Sequence, residues 1–340
     1  LSQSLRERLA GFYLEKLRRN PQLQDKVEFD VLYTCYDLSF SRRSRELLEA
    51  GFAPEDLSQV RTALLDLTNN LLNTDSIHSD LSQNEELERY RQGLTVLTEV
   101  ASPQERLDRA LQLLGICKES GTLQFSRLAR LAFIGKTLLK SLVEEGVIDS
   151  ENYNRFLESV NTVASDFAYD MDQLNQEKMA KSDFLSKYGH LRPGTYDIRI
   201  PRYDRSEDYF ATVNAEGQSD APEKKGFELN DAEHERISEL LKAQGLRVNA
   251  HELFGFVKSA LEAREYSKFL FTRCLSDAIE LIALAGEYLG FSREDLSHLN
   301  IEAIKATRGK SAEEIRSYWS EEIVRNRAEF ELNSYLSLPP

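Results

Sequence analysis

Apolar residues recur along most of this chain at spacings of three and four, a period that predicts helices. In "SQVRTALLDLTNNLL" (58–72), Val60, Leu64, Leu67 and Leu71 form a single stripe. "SPQERLDRALQLLG" (102–115) opens on Ser102, with Pro103 at the first helical position and Glu105 three residues after the cap. Gly115 at its end reads as a helix stop. The stretches 123–146 and 150–176 predict two longer helices joined by "VIDS" and packed as an antiparallel pair.

The pattern breaks after residue 185. "TYDIRIPRY" (195–203) alternates like a short extended segment, although Pro201 keeps it out of a sheet centre. "NAEGQSDAPEKKG" (214–226) is polar and aperiodic, which predicts an exposed loop. Helical periodicity then resumes. Residues 230–245 carry a cap at Asn230, Glu233 at the box position and a stop at Gly245. Residues 251–290 contain no proline and predict one very long helix or two stacked ones. Residues 311–336 begin with the box Ser311-x-x-Glu314. The expected fold is therefore mainly α, a multi-helix bundle-like domain with an extended or loop excursion near 190–227. The break suggests an N-terminal helical portion, 1–180, and a C-terminal portion, 181–340, which can form one continuous domain.

Composition supports this picture and narrows the function. Sixteen glycines and eight prolines in 340 residues are too few for an all-β fold with many hairpins. A net charge of −14 counts against nucleic acid as a partner, because phosphate neutralisation needs clustered cations. No apolar run reaches the roughly 20 residues needed to cross a bilayer, and the N-terminus lacks the apolar centre of a signal peptide. Cys35, Cys117 and Cys274 are scattered, which suits buried, reduced thiols and a cytoplasmic setting. The chain begins at Leu1 and stops at "LSLPP", as a segment of a longer polypeptide would.

Several chemical signatures fail on inspection. "IGKT" (134–137) and "RGKS" (308–311) resemble the tail of a phosphate loop. The required upstream glycine positions hold Arg130 and Ile304, however. His78, His190, His234, His251 and His298 never pair at metal-ligand spacing. The acidic run "SDLSQNEELE" (79–88) reads as a solvated helix entry.

Two stretches stand apart. Residues 187–205 set Lys187, Arg192, Arg199, Arg202 and Arg205 against only Asp197 and Asp204, around a turn-like "RPGT". In 263–273, Arg264, Lys268 and Arg273 can lie on a similar side, with Tyr266, Phe269, Leu270 and Phe271 giving apolar faces. Each has a structural reading. The first is then a packing corner, with Gly189 allowing a tight exit and arginines holding orphan helix carbonyls. The second is then a core helix with snorkelling cations. Each also has a functional reading, as a cationic and aromatic wall for an anionic or ring-bearing ligand.

Taken together, "YGHLRPGTYDIRIPRY" (188–203), "REYSKFLFTR" (264–273) and "GFSREDLSHLNIEAI" (290–304) resemble the central helical region of phosphoenolpyruvate-utilising phosphotransferases. These are relatives of phosphoenolpyruvate synthase and of rifamycin phosphotransferase. The similarity runs in order over about residues 180–340. In that family an ATP-grasp domain makes a phosphohistidine, a swivelling domain carries it, and a third region presents the acceptor. The chain lacks the glycine-rich ATP-grasp signatures and the "TSHAA"-like phosphohistidine motif.

The resemblance thus implies an acceptor-binding region that is not catalytic alone and binds no cofactor, with ATP and Mg held by the other domains. Its implied partners are a small-molecule acceptor and the ATP-grasp and histidine domains of the same polypeptide, with no nucleic acid and no membrane. It implies substrate-binding roles for Arg192, Arg199, Arg202, Arg264, Lys268 and Arg273, with His190 and Asp197 orienting the loop. The wording departs from the rifamycin enzymes at Leu191, Pro193 and Thr195, which points away from rifamycin as acceptor. The alternatives are a helical spacer that sets the swing of the carrier domain, and a free-standing helical interaction protein.

Overall fold

The computed structural model describes residues 1–72, 77, 80–82, 87–89, 91–92, 101–194, 196–206, 208–211 and 226–337. Among them the fold is mainly α, without strands. The longer helices are α1 (Gln3–Arg19), α2 (Pro54–Leu71), α3 (Pro103–Ile116), α4 (Thr122–Glu144) and α5 (Ser150–Glu158). They continue as α6 (Val163–Asn175), α7 (Lys181–Tyr188), α8 (Asp231–Ala243), α9 (Ala250–Tyr288) and α10 (Ala312–Asn333). Local chemistry sets many of the starts. Ser102, Thr162, Asn230, Asn249 and Ser311 each accept a hydrogen bond from the third helical N–H. In each, the third residue returns the bond to the cap, so two orphan donors are satisfied at once.

The proline-free stretch is one helix. At 39 residues, α9 spans about 58 Å at 1.5 Å per residue, and α3 and α4 pack along it. Small buried residues make close approach possible, among them Ala260, Ala263, Ser267, Ala278 and Gly286. A Cβ on Gly286 would stand 2.5 Å from Leu296 Cδ1. Three apolar clusters follow α9 rather than chain order. One joins Leu253, Phe256 and Val257 to Leu138, Leu142 and Phe40. Another joins Cys274, Ala278 and Leu281 to Leu107, Ile315 and Trp319. Between them, Phe269 and Leu270 meet Phe184 and Tyr188 in the smallest cluster. The segment 187–205 lies against that middle stretch.

Four local expectations need correcting. Gly115 does not stop a helix, because α3 runs on through a π-turn at Cys117–Gly121 directly into α4. The glycine that matters there is Gly121, where a Cβ would meet Phe271 Cβ at 2.5 Å. The stretch 150–176 is two helices, not one. At the junction, Ser159 Oγ donates back to Phe156 O and Thr162 caps α6, so polar side chains outcompete the helical ladder. In α2 Leu67 is exposed, and its expected place is taken by buried Thr68, whose Oγ1 accepts from Tyr36 N at 2.8 Å. Lastly, 195–203 contains no strand among its described residues. Its alternation comes from a turn in which Asp197 Oδ1 accepts from Arg199 N at 2.9 Å.

All three cysteines are buried and unbridged. Burial pushes the Cys35 and Cys274 thiols up to about 12. No helix among the described residues is long and apolar enough to cross a membrane. His78 and residues 214–225 of the expected loop lie outside the described residues.

Candidate functional site

The segment after α7 turns back on itself at once. Gly189 takes an ordinary helical φ of −55°, so its value is space rather than conformational freedom. A Cβ there would lie 2.4 Å from Leu185 O and 3.0 Å from Asp204 Cβ. The close approach lets Asp204 N donate to Gly189 O at 3.1 Å and Tyr203 N to Leu191 O at 3.0 Å. Gly194, at φ +83°, bends the chain between these anchor points.

The inner face of this loop is an arginine–carboxylate network. The Arg192 side chain is 0% exposed. It donates through Nε to Ile200 O at 3.0 Å, through Nη1 to Ser276 Oγ at 2.5 Å and through Nη2 to Glu280 Oε2 at 3.1 Å. Glu280 also binds Arg293 at 2.8 Å. Arg202 bridges Asp204 and Asp277, each at 2.6 Å, and Asp277 is shared with Arg91. Glu88 binds Arg91 at 2.6 Å and Arg273 at 3.1 Å. Arg273 completes the ring by donating to Lys187 O, a helix-end carbonyl, at 2.9 Å. Burial drives the Glu88 and Glu280 carboxyls upward, but their arginines outweigh it and both end below the ordinary range. These charges are tolerated inside because each is answered more than once.

His190 sits within this ring, 6% exposed, its imidazole edge-on to Phe269 with centroids 4.9 Å apart. Its carbonyl accepts from Ser276 Oγ at 2.5 Å, and its Nε2 has no partner. Burial first, then Arg273, Arg202, Arg91 and Arg192, push its pKa down to about 2. It is a neutral ring among cations.

The stretch 264–273 does not present its cations together. Nine residues at 100° each carry Arg273 about half a turn away from Arg264. Arg264 lies over Phe133 and Phe125 of α4, at 5.6 and 6.0 Å, and pairs with Glu265 at 3.1 Å. Lys268 is exposed. The shared side expected for these three is therefore corrected by helical phase.

The outer face of the loop is different. Tyr196, Asp197, Ile198 and Arg199 line a cavity of about 480 Å³ with Glu294, His298 and Asn300. Leu114, Ile279, Ile282 and Ile304 give it an apolar lining, with Phe330 beside His298. Arg199 is held by Asp197 at 2.7 Å and lies 3.8 Å from Glu294. Hydrogen bonds from Arg199 hold the Asp197 carboxyl below its ordinary range. The cavity thus combines an apolar lining with a guanidinium flanked by two carboxylates, an imidazole and an amide, in the size range of small-ligand sites.

Of the residues singled out from sequence, His190, Arg192, Arg202 and Arg273 meet in the network, and Asp197 and Arg199 line the cavity. Arg264 and Lys268 belong to neither. Sequence reasoning missed Arg91, Asp277, Glu280, Arg293 and His298. It also misread Glu88, which it placed in a solvated run although its side chain is only 15% exposed. A signal did exist. "CLSDAIELIALA" sets Ser276, Asp277 and Glu280 in an otherwise apolar stretch, and buried carboxylates need partners. Comparison of the chain with protein-family models, with curated proteins and with solved structures finds no match.

Proposed function

We propose that this chain is the acceptor-binding region of a phosphoenolpyruvate synthase-like phosphotransferase, and that the acceptor occupies the 480 Å³ cavity. One observation carries the reading. Of the three segments that carry the resemblance, 188–203 and 290–304 both line this cavity. The third, 264–273, braces the loop from behind through Arg273.

The reaction is phosphoryl transfer from a phosphohistidine on a separate domain to an acceptor hydroxyl. The N–P bond breaks, an O–P bond forms, and the hydroxyl proton leaves. In this reading Arg199 leaves its pairing with Asp197 to stabilise charge on the transferring phosphoryl group, and His298 takes the proton. Arg192, Arg202 and Arg273 hold the loop in register and leave ligand contact to the outer face. The test is reconstitution with separately expressed ATP-grasp and histidine domains. Phosphate should reach an acceptor only when this chain is added, and equal transfer without it would overturn the proposal.

A second reading, a helical spacer that sets the reach of the carrier domain, draws support from the internal pairing of the network. Its signature would be unchanged transfer in Arg199→Ala and His298→Ala.

A further inference from the structure

A larger cavity, about 690 Å³, opens between α1, residues 26–46 and α4. Asp37 lines it and is only 1% exposed. One of its carboxylate oxygens is held by Arg43, but Oδ1 has no hydrogen-bond partner. Six cations and four carboxylates line the cavity, an excess of positive charge on a chain of net −14. Glu46 is satisfied by Lys16 at 2.8 Å and by the Tyr33 hydroxyl at 2.8 Å. Glu144 is satisfied by Arg42 at 2.8 Å. Lys26 and Lys136 are exposed and have no carboxylate partner among the described residues. Phe29 and Tyr153 add aromatic faces.

We propose that this cleft binds a phosphorylated sugar or similar phosphorylated polyol. Each part of such a ligand answers something the cleft leaves open. The phosphate meets Lys26 and Lys136, strong donors without an anion. A hydroxyl donates to Asp37 Oδ1, a buried acceptor without a donor. The C–H face of the ring lies against Phe29 or Tyr153. Lys136 and Thr137 come from "IGKT", which fails as a phosphate loop because it sits inside a helix; here it contributes side chains instead of backbone amides. This site is independent of the phosphotransferase reading and stands or falls separately from it.

Isothermal titration of the full chain with glucose 6-phosphate, glucose and inorganic phosphate tests the proposal. The ester should bind at least about tenfold more tightly than either fragment. Lys136→Glu should weaken it at least about tenfold at an unchanged melting temperature. Asp37→Asn removes part of a buried pair and can unfold the chain, so Lys136→Glu is the deciding variant. No binding of the ester up to about 10 mM, equal binding by glucose or phosphate alone, or undiminished binding in Lys136→Glu would each overturn it.

Discussion

The network under residues 187–205 and the cleft beside α4 are both crowded with charge, yet they are built from different cations. The network uses arginine alone: Arg91, Arg192, Arg202, Arg273 and Arg293, with side chains between 0% and 20% exposed. The cleft sets the exposed ammoniums of Lys26, Lys136 and Lys140 beside Lys16, Arg42 and Arg43, which are already paired to carboxylates. A guanidinium can satisfy several acceptors at once in a fixed fork, which a buried site demands. An ammonium on a flexible stem keeps its water until a ligand arrives. The contrast separates charge that holds structure from charge left available for binding.

The comparison breaks most visibly at Glu280. Glu280→Ala leaves Arg192 buried with a missing partner and should cost about 3–5 kcal/mol, read as a lower midpoint in urea unfolding. A loss below about 1 kcal/mol would show the network to be decorative.

His190 gives the next largest effect, through pH. Its folded pKa, about 2, lies below its unfolded value of 6.5, so the unfolded chain binds the extra proton between these values. The stabilisation is therefore complete above pH 6.5 and is lost as pH falls. Between pH 8 and pH 5 the loss should be about 2 kcal/mol. His190→Gln should lack this component, and equal slopes for the two proteins would contradict it. Glu88 and Glu280, with depressed pKa values, act in a lower window. Their contribution is present above the unfolded value of 4.5 and is lost as pH falls through the lower folded values.

The smallest effect belongs to the cleft. Lys136→Glu should change stability by no more than about 0.5 kcal/mol, because the side chain is exposed and has no carboxylate partner among the described residues. A large loss in a melting experiment would erase the distinction between the two regions.

What could be read from sequence follows the range of the interactions. Ser102 with Glu105, Asn230 with Glu233 and Ser311 with Glu314 are three-residue devices, and the structure uses each as expected. The break at 159–162 went unread because apolar periodicity runs across it while the polar residues that end the helix do not disturb the stripe. The site was readable only as a concentration of charge. Glu88 and Arg273 are 185 residues apart, so no local spacing announces their pairing. Helical phase is legible too: nine residues at 100° each set 264 and 273 about half a turn apart, on opposite faces.

The central claim is that the arginines of 187–205 on the inner face hold the loop, while ligand contact falls to the outer face. Arg192→Ala tests it most directly, with melting temperature and reconstituted phosphoryl transfer measured on the same preparation. The account predicts a fall of several degrees, with transfer at a permissive temperature reduced only in proportion to the folded fraction. Transfer abolished at an unchanged melting temperature would contradict it and make Arg192 a ligand-binding residue.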